Sequence, residues 1–287
     1  MYEHFYGLRE KPFALSPDPN YLYLAKRHRH ALTLLEYVLV EASGFALITG
    51  EVGCGKTTVV RHFLERGERQ LNVGFISNTH PGFGPLLPWI MEALGMEVGE
   101  AGAPSEQFRR FVAHIKREYE AGRRAVLVVD EAQNLGPTGL EELRVLSNLN
   151  TGRHMLLQTI LIGQPELRAT LAMQQLRQFA QRIAIDHHLD PLSAEETNGY
   201  VRHRLVVAGG QPELFTPEAV ELVHESTGGV PRLINLVCDT ALVYAFSDQR
   251  ASVGIDTVEN VIQDRASSGL LPLKAVRGTL DGALAAS

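Results

Sequence analysis

The stretch Gly50-Glu51-Val52-Gly53-Cys54-Gly55-Lys56-Thr57-Thr58 constrains this chain more than any other. It follows the apolar run Phe45-Ala46-Leu47-Ile48 and precedes Val59-Val60-Arg61-His62-Phe63-Leu64, which has helical spacing. Strand, glycine-rich loop and helix in that order make a phosphate-binding P-loop. Gly50, Gly53 and Gly55 are expected to let the backbone wrap an anion, because glycine tolerates positive φ. The loop amides then meet a helix N-terminus, where the dipole favours phosphate. Lys56 is expected near the β- and γ-phosphates of a nucleoside triphosphate, and the Thr57 hydroxyl on Mg²⁺.

The second informative segment is Ala125-Val126-Leu127-Val128-Val129-Asp130-Glu131. Five consecutive apolar residues predict a strand buried on both faces, as in a parallel sheet. Asp130 at its tip is placed to hold Mg²⁺, and Glu131 to act as general base on the attacking water. A further strand is expected over Leu156–Ile162 and ends in Gly163-Gln164-Pro165. Gln164 therefore leaves a buried strand at the level of Asp130, where an uncharged amide can touch the γ-phosphate or the water.

Two more strands, Val73–Ser77 and Ile183–Ile185, bring the expected number to five, alternating with helices. That pattern predicts an α/β domain with a parallel five-stranded sheet and ligands at the carboxyl ends of the strands. The intervening helices are expected over 26–43, 86–94, 106–120 (capped by Ser105, with Phe108, Phe111, Val112 and Ile115 inward), 137–149 and 166–181. From about Pro191 strands vanish. Ser193 and Glu196 form a capping-box pattern, Thr216-Pro217 starts a second helix, Gly228-Gly229-Val230-Pro231 starts a third, and Asp256 is expected to cap a fourth. The expected layout is an aromatic, proline-rich extension over 1–25 packed on the core, a P-loop domain over 26–190, an all-helical lid domain over 191–268 and a loose tail over 269–287.

With 287 residues, 45% of them hydrophobic, the chain can bury a substantial core. No apolar run reaches the ~20 residues that span a bilayer, and Met1–Phe5 lacks the pattern of a signal peptide. A cytoplasmic location is expected, which is where ATP is. Two cysteines, Cys54 and Cys238, suggest neither disulfides nor a metal site. A net charge of −6 removes the simple electrostatic argument for nucleic-acid binding. His28 and His30, and later His187-His188, are expected as solvated or helix-end residues, since no further metal ligands lie at suitable spacing.

These motifs resemble the AAA+ ATPases, with Gly50–Thr58 as Walker A, Val126–Glu131 as Walker B and Gln164 as sensor 1. Within that superfamily the chain is similar to the bacterial general secretion pathway protein A family, on Phe5–Phe13, Asp130–Leu135, Leu161–Leu167 and Gly228–Asn235. The resemblance covers roughly residues 1–266. It implies ATP hydrolysis with Mg²⁺, with Gly50, Glu51, Val52, Gly53, Cys54, Gly55, Lys56, Thr57 and Thr58 around the nucleotide. It places Arg232 as sensor 2, reaching the γ-phosphate in cis, and Arg182 as an arginine finger acting on a neighbour's ATP, with Arg177 as the fallback. Self-assembly into a ring or open helix follows, and so does service to an envelope secretion, pilus or exopolysaccharide system. Cys54 departs from the Thr or Ser that members often carry. The membrane span and peptidoglycan-binding domain of the longest members have no match in residues 1–287, so wall anchoring is not carried over. Similar AAA+ ATPases serve as transposition helpers on duplex DNA that recruit a transposase. For that alternative the candidate contacts are Arg109, Arg110, Lys116, Arg117, Arg123 and Arg124.

Overall fold

The computed structural model describes residues 1–268 apart from 17, 42–43, 68–69, 78–81, 83, 99–102 and 152–153. The expected loose tail 269–287 lies outside the described residues. The chain divides into two compact units. One comprises Lys26–Glu51 and Gly55–Leu189; the other comprises Met1–Ala25, Val52–Cys54 and the chain from Asp190 onward.

The first unit carries the sheet. In chain order it contains α1 (Lys26–Glu41), β1 (Phe45–Gly50), α2 (Lys56–Gly67), β2 (Leu71–Ile76), α3 (Leu86–Ala93), α4 (Pro104–Glu120) and β3 (Arg124–Val129). Then follow α5 (Gly136–Leu146), β4 (Leu157–Gly163), α6 (Pro165–Leu171), α7 (Arg177–Ala180) and β5 (Ile183–Leu189). The five strands are all parallel and lie in the order β2-β3-β4-β1-β5. β1 and β3 carry continuous apolar runs, and β4 is buried throughout, Gln158 and Thr159 included, because the inner strands of such a sheet are covered on both faces. Leu47, Leu127 and Leu161 join one core cluster with residues of α3, α5 and α6. The alternate positions Ile48, Val128 and Ile160 are equally buried and point to the opposite face, as the two-residue strand period requires.

Several sequence expectations change here. The 166–181 segment is three short pieces, α6, a 3₁₀ turn at Gln174–Leu176 and α7. Leu167 and Leu171 are four apart, Leu176 and Phe179 three apart, but Leu171 and Leu176 are five apart. One straight helix cannot aim both buried pairs at the core. β5 runs on to Leu189, so His187 and His188 are strand residues. His187 is buried with its Nε2 3.1 Å from the Arg27 carbonyl, and His188 Nδ1 lies 3.0 Å from Thr49 Oγ1. His28 is also buried, on the inner face of α1. α4 begins at Pro104 with Ala103 preceding it and no side-chain cap, so Ser105 lies inside the first turn. Proline suits that place because it has no N–H to satisfy. Phe111 and Ile115 face inward, whereas Phe108 is exposed.

The second unit is helical, with α8 (Ala194–Val207), α9 (Pro217–Thr227), α10 (Pro231–Ser247) and α11 (Ile255–Ser268). The capping box at Ser193 and Glu196 is formed in both directions. Thr216 caps α9, and Gly228 ends it at φ 60°. Asp256 lies within the first turn of α11 and takes the Arg250 guanidinium, so it is not the capping residue.

The extension 1–25 packs in this helical unit. Tyr2, Leu8, Phe13 and Tyr21 are buried in one cluster with Val201, Leu205, Phe215 and Cys238. The Tyr2 hydroxyl donates to Asp239, and the Phe13 ring meets Phe215 edge-on at 5.8 Å. Arg204, buried on α8, binds the segment: it donates to the carbonyls of Pro12 and Ala14 and to the Tyr200 hydroxyl, with its guanidinium 4.6 Å from the Tyr21 ring centre. The aromatics find their apolar surface among helices, where grooves between α8 and its neighbours accept large rings.

Candidate functional site

The carboxyl ends of β1, β3 and β4 bring three segments of the sheet unit together. β1 ends at Gly50, and α2 begins at Lys56. The residues between them turn through glycine: Gly53 has φ 85° and Gly55 φ 86°. Gly50 is required for a different reason from the one expected. Its φ is not positive, but a Cβ there would stand 2.6 Å from the Leu189 carbonyl oxygen. Close packing of β1 on β5, not a left-handed turn, demands glycine at that position. A Cβ on Gly55 would meet the His28 ring at 3.3 Å, so the buried histidine backs the loop.

Lys56 is 6% exposed. Its ammonium donates to the carbonyls of Gly50 at 2.8 Å and Glu51 at 2.9 Å. Among the described residues these acceptors are neutral, and no carboxylate forms an ion pair with it. A buried cation held only by carbonyls suits an anion, since charged oxygen is the stronger acceptor. Thr57 and Thr58 are half-buried, Glu51 and Val52 exposed, and Cys54 buried.

The Thr57 hydroxyl donates to Asp130 Oδ2 at 2.7 Å, and Asp130 Oδ1 accepts the Glu131 N–H at 2.9 Å. Two hard oxygens, a hydroxyl and a carboxylate, therefore adjoin at the start of α2. That donor set fits Mg²⁺, which takes one or two protein oxygens and completes its shell with phosphate and water. Among the described residues no group of three or more His, Cys, Asp or Glu is placed to cage a metal by itself.

Glu131 has φ 50°, a left-handed conformation that a non-glycine residue adopts only at a cost of roughly 1–3 kcal/mol. Its Oε2 accepts amide hydrogens from Gln133 at 2.5 Å and from Gln164 at 3.1 Å. Burial alone would raise its pKa. The two amide hydrogen bonds and the Lys56 charge outweigh burial and hold the carboxyl below its ordinary range. Glu131 is thus ionised and able to take a proton. Gln164 stands at the start of α6, with its backbone N–H donated to Gln133 Oε1 at 3.1 Å. Gln133 was not among the residues expected from the sequence. It does lie within Asp130–Leu135, one of the segments that carry the family resemblance, but without a role assigned to it.

The arginines are placed differently. Arg182 is half-buried and donates to the Arg144 carbonyl and to Asn148 Oδ1, each at 3.3 Å. Arg177, at the start of α7, is exposed. Arg232 lies in the first turn of α10 and is exposed; its backbone N–H donates to the Gly53 carbonyl within the helical unit. Arg109, Arg110, Lys116, Arg117, Arg123 and Arg124 are all exposed. Arg123 is held by both oxygens of Glu118, and Arg110 donates to the Glu97 carbonyl.

Residues 40–171 match the family described as AAA domain. General secretion pathway protein A of Aeromonas hydrophila is 45% identical over 247 residues, which is 86% of this chain. The chain spans 45% of that relative's length. Among solved structures, the Aeropyrum pernix ORC2 protein in its ADPNP–ADP complexes aligns with TM-score 0.67 and 18% identity over 91% of this chain and 73% of that one. The Aeropyrum pernix ORC1 protein in complex with DNA aligns with TM-score 0.63 and 22% identity, over 89% and 69% respectively. At such identities these structures establish a shared fold.

Proposed function

We propose that this chain, a P-loop ATPase with an AAA domain over residues 40–171, spends Mg²⁺-dependent ATP hydrolysis on assembling or regulating an envelope secretion, pilus or exopolysaccharide system. The observation that carries the secretion assignment is the 45% identity, across 86% of the chain, to a secretion pathway protein. The site chemistry follows from the residues. Lys56 exchanges its two carbonyl acceptors for β- and γ-phosphate oxygens. Thr57 and Asp130 hold Mg²⁺, which when bound offsets charge between those phosphates. Glu131 accepts the proton of the attacking water, and Gln164 orients the water or the γ-phosphate. Arg232 contacts the γ-phosphate in cis, since a guanidinium reads phosphate through two donors.

Within this reading the protein acts in the cytoplasm as a homo-oligomer, and an arginine of one subunit completes a neighbour's site. Among the described residues no helix is long and apolar enough to cross a membrane. Arg182 must release Arg144 and Asn148 to act in trans, whereas Arg177 is already exposed. Arg182→Ala is expected to lose turnover that mixing with Lys56→Ala subunits partly restores. A loss and restoration seen only with Arg177→Ala moves the role there, and no restoration with either removes action in trans.

The secretion assignment is tested in the producing cell with Lys56→Ala in place of the native protein. Exported protein is expected to fall and to accumulate inside. Unchanged export overturns the assignment. The alternative, an ATP-dependent DNA-binding helper that recruits a transposase, has less support. Its candidate cations are partly engaged by Glu118 and Glu97, and the net charge is −6. ATP-dependent duplex binding that weakens steeply with salt would restore it.

A further inference from the structure

Gln133 sits between the two residues that the hydrolytic site uses and links them. It belongs to the 3₁₀ turn Ala132–Leu135 that follows Glu131. Both ends of its side-chain amide are engaged: Nε2 donates to Glu131 Oε2 at 2.5 Å, and Oε1 accepts the Gln164 backbone N–H at 3.1 Å. Room for this bridge exists because residue 163 is glycine. A Cβ there would lie 2.9 Å from Gln133 Oε1 and 2.6 Å from Leu167 Cδ2. Glu131 Oε2 also receives the Gln164 side-chain amide, so one carboxylate oxygen takes two amide donors.

The two donors are not equivalent. The Gln164 side chain is the one expected to turn toward a bound triphosphate, whose oxygens are charged acceptors as the Glu131 carboxylate is. When it turns, Glu131 loses that donor. The Gln133 donor remains, because its other end is fastened to the backbone of Gln164 and not to the side chain. That tie survives the rotation. The left-handed backbone at Glu131 is supported separately, by the Asp130 carboxylate that accepts the Glu131 N–H.

We propose that Gln133 is a positioning residue for ATP hydrolysis: it keeps the Glu131 carboxylate in place for the attacking water when the Gln164 side chain is drawn to the triphosphate. The inference rests on the roles given above to Glu131 and Gln164. Two variants of the full chain test it. Gln133→Met keeps the length and removes donor and acceptor. Gln133→Glu keeps an acceptor for the Gln164 N–H and replaces the donor to Glu131 by a carboxylate oxygen that repels it.

Both variants are expected to lower kcat roughly tenfold or more, since a small displacement of a catalytic group is costly. Direct binding of a non-hydrolysable ATP analogue is expected to stay within about twofold of the wild type, because the binding loop and its lysine are untouched. A merely structural residue would weaken binding together with turnover, and that result overturns the proposal. In a Glu131→Gln background, Gln133→Met is expected to add no further loss, as for two residues acting as one unit. An independent further loss also overturns it. If Glu131→Gln itself turns over normally, the general-base reading and this inference fall together. If Glu131→Gln is inactive while both Gln133 variants turn over at the wild-type rate, this inference alone falls. Circular dichroism checks folding, and Gln133→Glu carries the test should Gln133→Met not fold.

Discussion

Glu131→Gln will bind ATP and lose hydrolysis, by a factor on the order of a hundred or more if the carboxylate is the general base. The substitution changes little else. Glutamine has the same length, and its amide oxygen can still accept the hydrogens that Gln133 and Gln164 give to Oε2. The left-handed backbone at this position stays supported by Asp130 Oδ1. What disappears is the basic oxygen that the amide donors and the Lys56 charge keep ionised against the opposing effect of burial. Single-turnover hydrolysis beside equilibrium ATP binding separates these effects. Unchanged turnover would remove Glu131 from the mechanism, and a parallel loss of binding would show that its role is in the ground state.

Arg204→Met is expected to destabilise the helical unit by about 2–4 kcal/mol, on the scale of lost buried hydrogen bonds and a lost cation–π contact. Methionine can fill much of the volume, so the loss comes from the polar groups. Without the guanidinium, the carbonyls of Pro12 and Ala14 lose their donors and the Tyr21 ring loses the cation over its face. Arg204 has no carboxylate partner among its hydrogen bonds, so its removal strands no buried anion. The N-terminal segment should loosen first around Pro12–Ala14, whose carbonyls Arg204 ties to α8, while the Arg9 bonds to Val207 and Ala208 remain. Chemical denaturation measures the shift, and protease sensitivity of residues 1–25 reports the segment. A change under about 0.5 kcal/mol, the usual size for a surface substitution, would mean that ring packing alone retains it.

Much of the architecture could be read before any coordinates. Continuous apolar runs at β1 and β3 signalled a sheet covered on both sides, because central parallel strands have no wet face. The capping box at Ser193 and Glu196 and the glycine end of α9 at Gly228 were legible because a local hydrogen bond or a local φ decides them. Elements set by distant neighbours were misjudged. Histidines 187 and 188 read as solvated or helix-end residues, yet pairing of β5 with β1 drew them into the sheet. His28 read the same way; it does stand in the first turn of α1, but buried behind Gly55.

The order of residues alone determined that glycines, a lysine and a threonine would follow one strand and that two carboxylates would follow another. Those are short-range facts, carried by spacing and side-chain chemistry. Only the tertiary structure decided that Gly50 is needed to clear a carbonyl of β5, that the aromatic extension belongs to the helical unit, and that Gln133 joins Glu131 to Gln164. Each depends on atoms far apart in the chain meeting within a few ångströms. A glycine looks the same in sequence whether a dihedral or a neighbour demands it, and an amide shows no partner until the strands that position it have paired.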